Sequence, residues 1–213
     1  MNGNAGDRRP LKTRGAGWAR ALAGGLARSS ITPNQISTLS IVFALAGAGA
    51  LLYWPSPFAL LLCAVCIQLR LLCNLIDGMV AIEGGKSTPA GALYNEFPDR
   101  IADSLFLVAL GHAAGEPWLG WLAALLAALT AYVRVTGGSL GLAQDFRGPM
   151  AKPQRMALMT LACLAAMVEW YWRGTTMSLL VAAWMIAIGS ALTCVLRTRA
   201  IAGQLRARQQ GAA

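Results

Sequence analysis

The chain reads as an all-α integral membrane protein, a bundle of six transmembrane helices preceded by an N-terminal interfacial amphipathic helix. Hydrophobic residues make up 56% of its 213 residues and charged residues only 13%, against roughly 25% charged in an average soluble domain. Six apolar runs approach the roughly 20 residues that cross the hydrocarbon of a bilayer. The basic residues gather in alternate connections, as the positive-inside rule requires.

The segment 1–30 is basic, with Arg8, Arg9, Lys12, Arg14, Arg20 and Arg28. Within it, 16–29 sets Trp18, Leu22 and Leu26 on one helical face and Arg20 opposite, the pattern of a helix lying in the membrane interface. Arg20 and Arg28 interrupt the apolar core that a cleaved signal peptide needs. The membrane domain then occupies 31–198, with spans predicted at Pro33 to Trp54, Pro57 to Ala81, Ala90 to Ala114, Trp118 to Gly138, Met156 to Trp172 and Met177 to Leu196. Thr88 and Pro89 are expected to cap and open the third span. A basic tail, 199–213, follows.

An even number of spans puts both termini, the turn carrying Lys86 and the loop carrying Arg147, Lys152 and Arg155 on one side. The opposite connections hold almost no positive charge, so both termini are expected in the cytoplasm, in the inner membrane of a bacterium. The formal charge of +9 has no folded soluble domain around it; anionic lipid headgroups rather than nucleic acid are its expected partner. All five cysteines lie in apolar runs. Cys63 and Cys66 have metal-like spacing but no second pair, and read as small buried hydrophobes. Gly47 with Gly49, and Gly111 with Gly115, are expected where helices pack closely.

Five of the nine acids, Asp77, Glu83, Glu96, Asp99 and Asp103, fall between positions 77 and 103. Polar groups at membrane depth are costly and mark function. At about 100° per residue, Arg70, Asn74, Asp77 and Ala81 share one face of the second span, while Gly91, Asn95, Asp99 and Asp103 recur every fourth residue on the third. The short turn between these spans predicts antiparallel neighbours whose oxygens converge. Two carboxylates and two amide carbonyls suit a hard divalent cation that keeps waters and binds substrate phosphates, and Gly78, Ala81 and Gly91 leave room for a bulky ligand. Arg70 admits two readings, a contact to phosphate or a buried pair with Asp77. Arg134, Arg147, Lys152 and Arg155 read as holding an anionic headgroup or as membrane-surface anchors.

The run Asn74-Leu75-Ile76-Asp77-Gly78-Met79-Val80-Ala81-Ile82, followed by Gly91, Asn95 and Asp99, resembles the CDP-alcohol phosphotransferase (phosphatidyltransferase) signature D-x2-D-G-x2-A-R-x8-G-x3-D-x3-D, with every spacing kept. Thr32-Pro33-Asn34, Arg134 and the loop from Gly148 to Arg155 extend the likeness over most of the chain. Asn74, Asn95 and Ile82 stand where the pattern has Asp, Asp and Arg. The resemblance implies a membrane enzyme of phospholipid biosynthesis that moves a phosphatidyl group from a CDP-linked lipid, such as CDP-diacylglycerol, to an alcohol, releasing CMP.

It also implies Mg²⁺ or Mn²⁺ as cofactor, Asp99 as the base and a metal ligand, and Asp77 as a ligand with Asn74 and Asn95 beside it. The donor would lie against Asn34, Asn74, Asp77, Gly78, Ala81, Gly91 and Arg70, the acceptor headgroup against Arg134, Arg147, Lys152 and Arg155, and the protein would be a homodimer. Two amides for two carboxylates remove negative charge, so weaker metal binding and one ion instead of two are expected. A relative that binds phospholipid or nucleotide-lipid without turnover is the alternative reading.

Overall fold

The computed structural model describes residues 17–86 and 88–210; the basic residues Arg8, Arg9, Lys12 and Arg14 lie outside them. Seven helices and no strand occur among the described residues: α1 (Gly17–Ala27), α2 (Pro33–Tyr53), α3 (Pro57–Glu83), α4 (Gly91–Ala113), α5 (Pro117–Ser139), α6 (Lys152–Arg173) and α7 (Met177–Gln210). Local chemistry explains most of their starts. Thr32 and Gln35 form a reciprocal capping box at α2, Ser56 Oγ accepts from the Ala59 amide at α3, and prolines occupy the first turns of α2, α3, α5 and α6. At α4 the expected cap does not form. Thr88 lies in a turn whose carbonyl accepts from the Gly91 amide at 2.9 Å, and the helix begins after Ala90 without a side-chain cap.

By length and apolarity α2, α3, α5 and α7 are four candidate membrane spans. The chain is an all-helical membrane protein, but α4 and α6 fall short of the six-span expectation on composition. α4 carries Glu96, Asp99, Arg100 and Asp103 along its middle, and α6 has Lys152 and Arg155 at its start and Glu169 and Arg173 at its end. Asp99, Asp103 and Arg155 are buried inside the bundle, where side chains of the neighbouring helices pair with them.

The six long helices close a ring: α2 packs on α3 and α4, α4 on α5, α5 on α7, α7 on α6, and α6 on α3. α3 and α4, expected as direct neighbours, make little backbone contact. α2 lies between them, and polar side chains bridge the remaining gap. Gly47 of α2 permits this, because a Cβ there would come within 2.8 Å of Cys66 Cβ and 2.9 Å of the Phe106 ring. Gly111 of α4 meets Gly120 of α5 backbone to backbone, whereas a Cβ at Gly49 or Gly115 would meet nothing within 4 Å; Gly115 instead supplies a turn at φ 77°.

α1 presses Ala19 and Ala23 toward α3 while Trp18, Leu22 and Arg20 stay exposed. α7 continues through Gln210, so 199–210 of the tail is helical. At 1.5 Å per residue α7 is about 50 Å long, well beyond the hydrocarbon thickness. Its extension braces the end of α5 and the loop after it: Ile201 packs at Gly137, and Arg208 donates to the Gly141 carbonyl at 2.7 Å. The four cysteines Cys63, Cys66, Cys73 and Cys163 are buried, Cys194 is half-buried, and all five are free thiols.

Candidate active site

The polar cluster occupies the end of the bundle where α3 and α5 finish and α2, α4 and α6 begin. Its centre is Asp99, buried on α4. Oδ1 accepts from Asn74 Nδ2 of α3 and from Arg70 Nη2 at 3.3 Å; Oδ2 accepts from the Lys152 ammonium at the start of α6. The helical spacing that puts Arg70, Asn74 and Asp77 on one face of α3 therefore does deliver them to one site. Asp77 is buried beside it, near enough to feel the charges of Asp99 and Lys152. Its Oδ2 accepts from Ser37 Oγ of α2, while Oδ1 is buried without a hydrogen-bond partner.

Arg70 is fully buried and pairs with Asp99 and Asp103, not with Asp77. Its Nη2 also reaches the Asp99 carbonyl at 3.1 Å, while Nε and Nη1 have no partner. Asp103, one turn beyond Asp99, takes Arg70 Nη2 on Oδ1 at 2.7 Å and Arg155 Nη2 on Oδ2 at 2.8 Å.

The four basic candidates for the acceptor separate. Arg155 is almost completely buried, on Asp103, the Met150 carbonyl (2.8 Å) and Thr130 Oγ1 (3.4 Å). Lys152 sits on Asp99. Arg134 pairs with Glu96 at 2.6 Å and Gln144 and lies 5.4 Å from the Phe146 ring centroid. Arg147 is exposed and pairs locally with Asp145. Asn34 is half-buried at the start of α2, Gly78, Ala81 and Gly91 are half-buried, and Asn95 is exposed. A Cβ at Gly78 would meet nothing within 4 Å, so the α3 backbone there is open to a ligand.

Among the described residues no group of three or more His, Cys, Asp or Glu side chains gathers to hold a metal. With amides at two of the four positions, no all-protein cage exists. The unpartnered Oδ1 of Asp77 is the feature that fits a cation, because a buried carboxylate oxygen without a donor is costly. Asp77, Asp99 and the amide oxygen of Asn74 are the donor types that a hard ion takes alongside water and substrate, whereas Asn95 is exposed on α4.

Ser37 and Asp103 were not among the expected site residues. Ser37 gave no signal in its own helix, and Asp103 did, since it continues the fourfold spacing of Gly91, Asn95 and Asp99.

The CDP-alcohol phosphatidyltransferase family model matches residues 30–195. An archaetidylinositol phosphate synthase of Aeropyrum pernix is 36% identical over 190 residues, 88% of this chain and 92% of that protein. A phosphatidylinositol phosphate synthase of Mycobacterium tuberculosis is 26% identical over 190 residues, 84% of this chain and 83% of that one. The crystal structure of the M. tuberculosis phosphatidylinositol phosphate synthase with CDP-DAG bound superimposes with a TM-score of 0.71 at 23% identity, covering 87% of this chain and 94% of that chain; this likeness is one of fold.

Proposed function

The chain belongs to the CDP-alcohol phosphatidyltransferase family and is a membrane enzyme of phospholipid biosynthesis; from that premise we propose that it transfers a phosphatidyl-type group from a CDP-linked lipid to a hydroxyl of inositol phosphate, releasing CMP. The observation that carries the reading is the convergence of Asn74, Arg70 and Lys152 on Asp99, with the free Oδ1 of Asp77 alongside. The names of the relatives support an acceptor that brings its own phosphate.

In the proposed reaction the acceptor oxygen attacks the lipid-bearing phosphorus of the donor diphosphate. The new P–O bond forms as the bond to the bridging oxygen breaks, CMP leaves with the electron pair, and Asp99 takes the hydroxyl proton. A divalent ion such as Mg²⁺ or Mn²⁺, held by Asp77 and Asp99 with Asn74 and Asn95, would neutralise the diphosphate. Arg70, fully buried on Asp99 and Asp103, would stand behind Asp99 and not on the diphosphate, so it would not replace the arginine absent at Ile82. Asn34, Gly78, Ala81 and Gly91 would border the donor. Lys152, Arg134 and Arg147 would draw in the acceptor phosphate, with Arg155 behind them.

α4 and α6 span the bilayer in this reading, their charges facing inward, which gives six spans. Both termini and the site then face the cytoplasm, where Arg199, Arg206 and Arg208 of α7 meet anionic lipid. The test is CMP release by the purified protein from CDP-diacylglycerol and inositol phosphate with Mg²⁺ or Mn²⁺, with Asp99→Asn as control. Metal-dependent release that this substitution lowers by about 10²-fold or more supports the reading. An Asp99→Asn protein with full activity refutes the assignment of the base, and no release with any phosphorylated alcohol favours a binding protein without turnover.

A further inference from the structure

Asp103 is 2% exposed and has both oxygens engaged by guanidinium groups, so no substrate reaches it. Its two partners, however, lead back to Asp99. Arg70 presents the same nitrogen, Nη2, to Asp103 Oδ1 at 2.7 Å and to Asp99 Oδ1 at 3.3 Å. Arg155, on the other oxygen of Asp103, uses Nη1 to hold the Met150 carbonyl at 2.8 Å. Met150 lies two residues before Lys152, whose ammonium rests on Asp99 Oδ2. Each oxygen of Asp103 thus governs one of the two cations on Asp99, Arg70 directly and Lys152 through the entry to α6.

Charge makes the arrangement consequential. Arg70, Lys152 and Arg155 pair with two carboxylates, Asp99 and Asp103, with Asp77 beside them, in a region closed to water except along Lys152. Without Asp103, Arg70 keeps Asp99 as its sole anionic partner and closes on it, since a buried cation left with one counter-ion strengthens that pair. An Asp99 clamped in this way has lost the oxygen that must accept a proton.

We propose that Asp103 is a positioning residue for the transfer reaction: by dividing Arg70 between two carboxylates and anchoring Arg155, it keeps Asp99 available as the base. The proposal deepens the reading above and rests on Asp99 having that role. A group that acts only by orienting another changes turnover rather than substrate affinity, and losing such an outer partner typically costs about 10- to 100-fold.

The test compares wild type, Asp99→Asn, Asp103→Asn and Asp103→Glu as purified full-length protein, with kcat and donor KM from CMP release and thermal unfolding in detergent. For Asp103→Asn, kcat is expected to fall about 10- to 100-fold with KM for CDP-diacylglycerol within about threefold. Asp103→Glu, which keeps the charge but moves it by one methylene, should fall between this and wild type. If Asp103→Asn does not fold, Asp103→Glu decides, a lowered kcat at unchanged KM supporting the proposal and a wild-type kcat overturning it. A folded Asp103→Asn with wild-type kcat, or one whose loss lies entirely in KM, overturns the proposal while an inactive Asp99→Asn leaves the base assignment standing. An active Asp99→Asn removes the base assignment itself.

Discussion

Replacing Lys152 with methionine separates two roles that one ammonium group plays. The side chain rests on Asp99 Oδ2 with 23% of its own surface and 11% of that of Asp99 exposed, between a solvated pair, worth about 0–1 kcal/mol, and a buried one, whose disruption costs several. A value of about 1–2 kcal/mol is appropriate. A divalent ion that uses Asp99 must displace the ammonium, so Lys152→Met should bind Mn²⁺ about 5- to 30-fold more tightly, the factor that this energy represents. The same substitution removes a cation assigned to the acceptor phosphate, and kcat/KM for inositol phosphate should drop about tenfold or more. Electron paramagnetic resonance titration of Mn²⁺ in detergent reads the first effect, and CMP release at saturating Mn²⁺ the second. Tighter metal with poorer turnover is the expected signature. Unchanged or weaker Mn²⁺ binding would refute the idea that Lys152 and the metal share Asp99.

Ser37→Ala removes the side-chain hydrogen bond to Asp77; activity at limiting Mg²⁺ should fall about tenfold and recover partly at high Mg²⁺, as a metal titration of CMP release would show. Gly120→Ala would put a Cβ 2.8 Å from the Leu107 carbonyl oxygen and 2.9 Å from Gly111 Cα, all backbone that cannot swing aside; thermal unfolding in detergent should show a loss of about 1–3 kcal/mol. Chelation with EDTA should abolish CMP release without lowering the unfolding temperature greatly, and Mn²⁺ or Mg²⁺ should restore it, because the ring of helices packs through apolar contacts remote from Asp77.

The helices and the members of the cluster were legible because both are written in local periodicity. Apolar length marks a span, and a spacing of three or four residues puts Arg70, Asn74 and Asp77, or Asn95, Asp99 and Asp103, along one helix. Two readings met limits of the same physical kind. Composition does not mark α4 and α6 as spans, although Asp99, Asp103, Lys152 and Arg155 meet partners on other helices inside the bundle. Arg155, grouped by charge and proximity with the surface cations, is buried on Asp103, because a helix start that reads as a membrane anchor can equally point into the bundle.

The sequence by itself determined that this is a helical membrane protein with one polar centre, and which residue types belong to that centre. Only the tertiary structure decided who meets whom: α2 between α3 and α4, Ser37 on Asp77, Lys152 on Asp99, and Asp103 between two arginines. The reason is geometric. Periodicity along a helix states which side chains share a face, but the neighbour that each face receives depends on the order and rotation of the helices in the ring, set by close-packing points such as Gly47 and by the pairing of all the buried charges together.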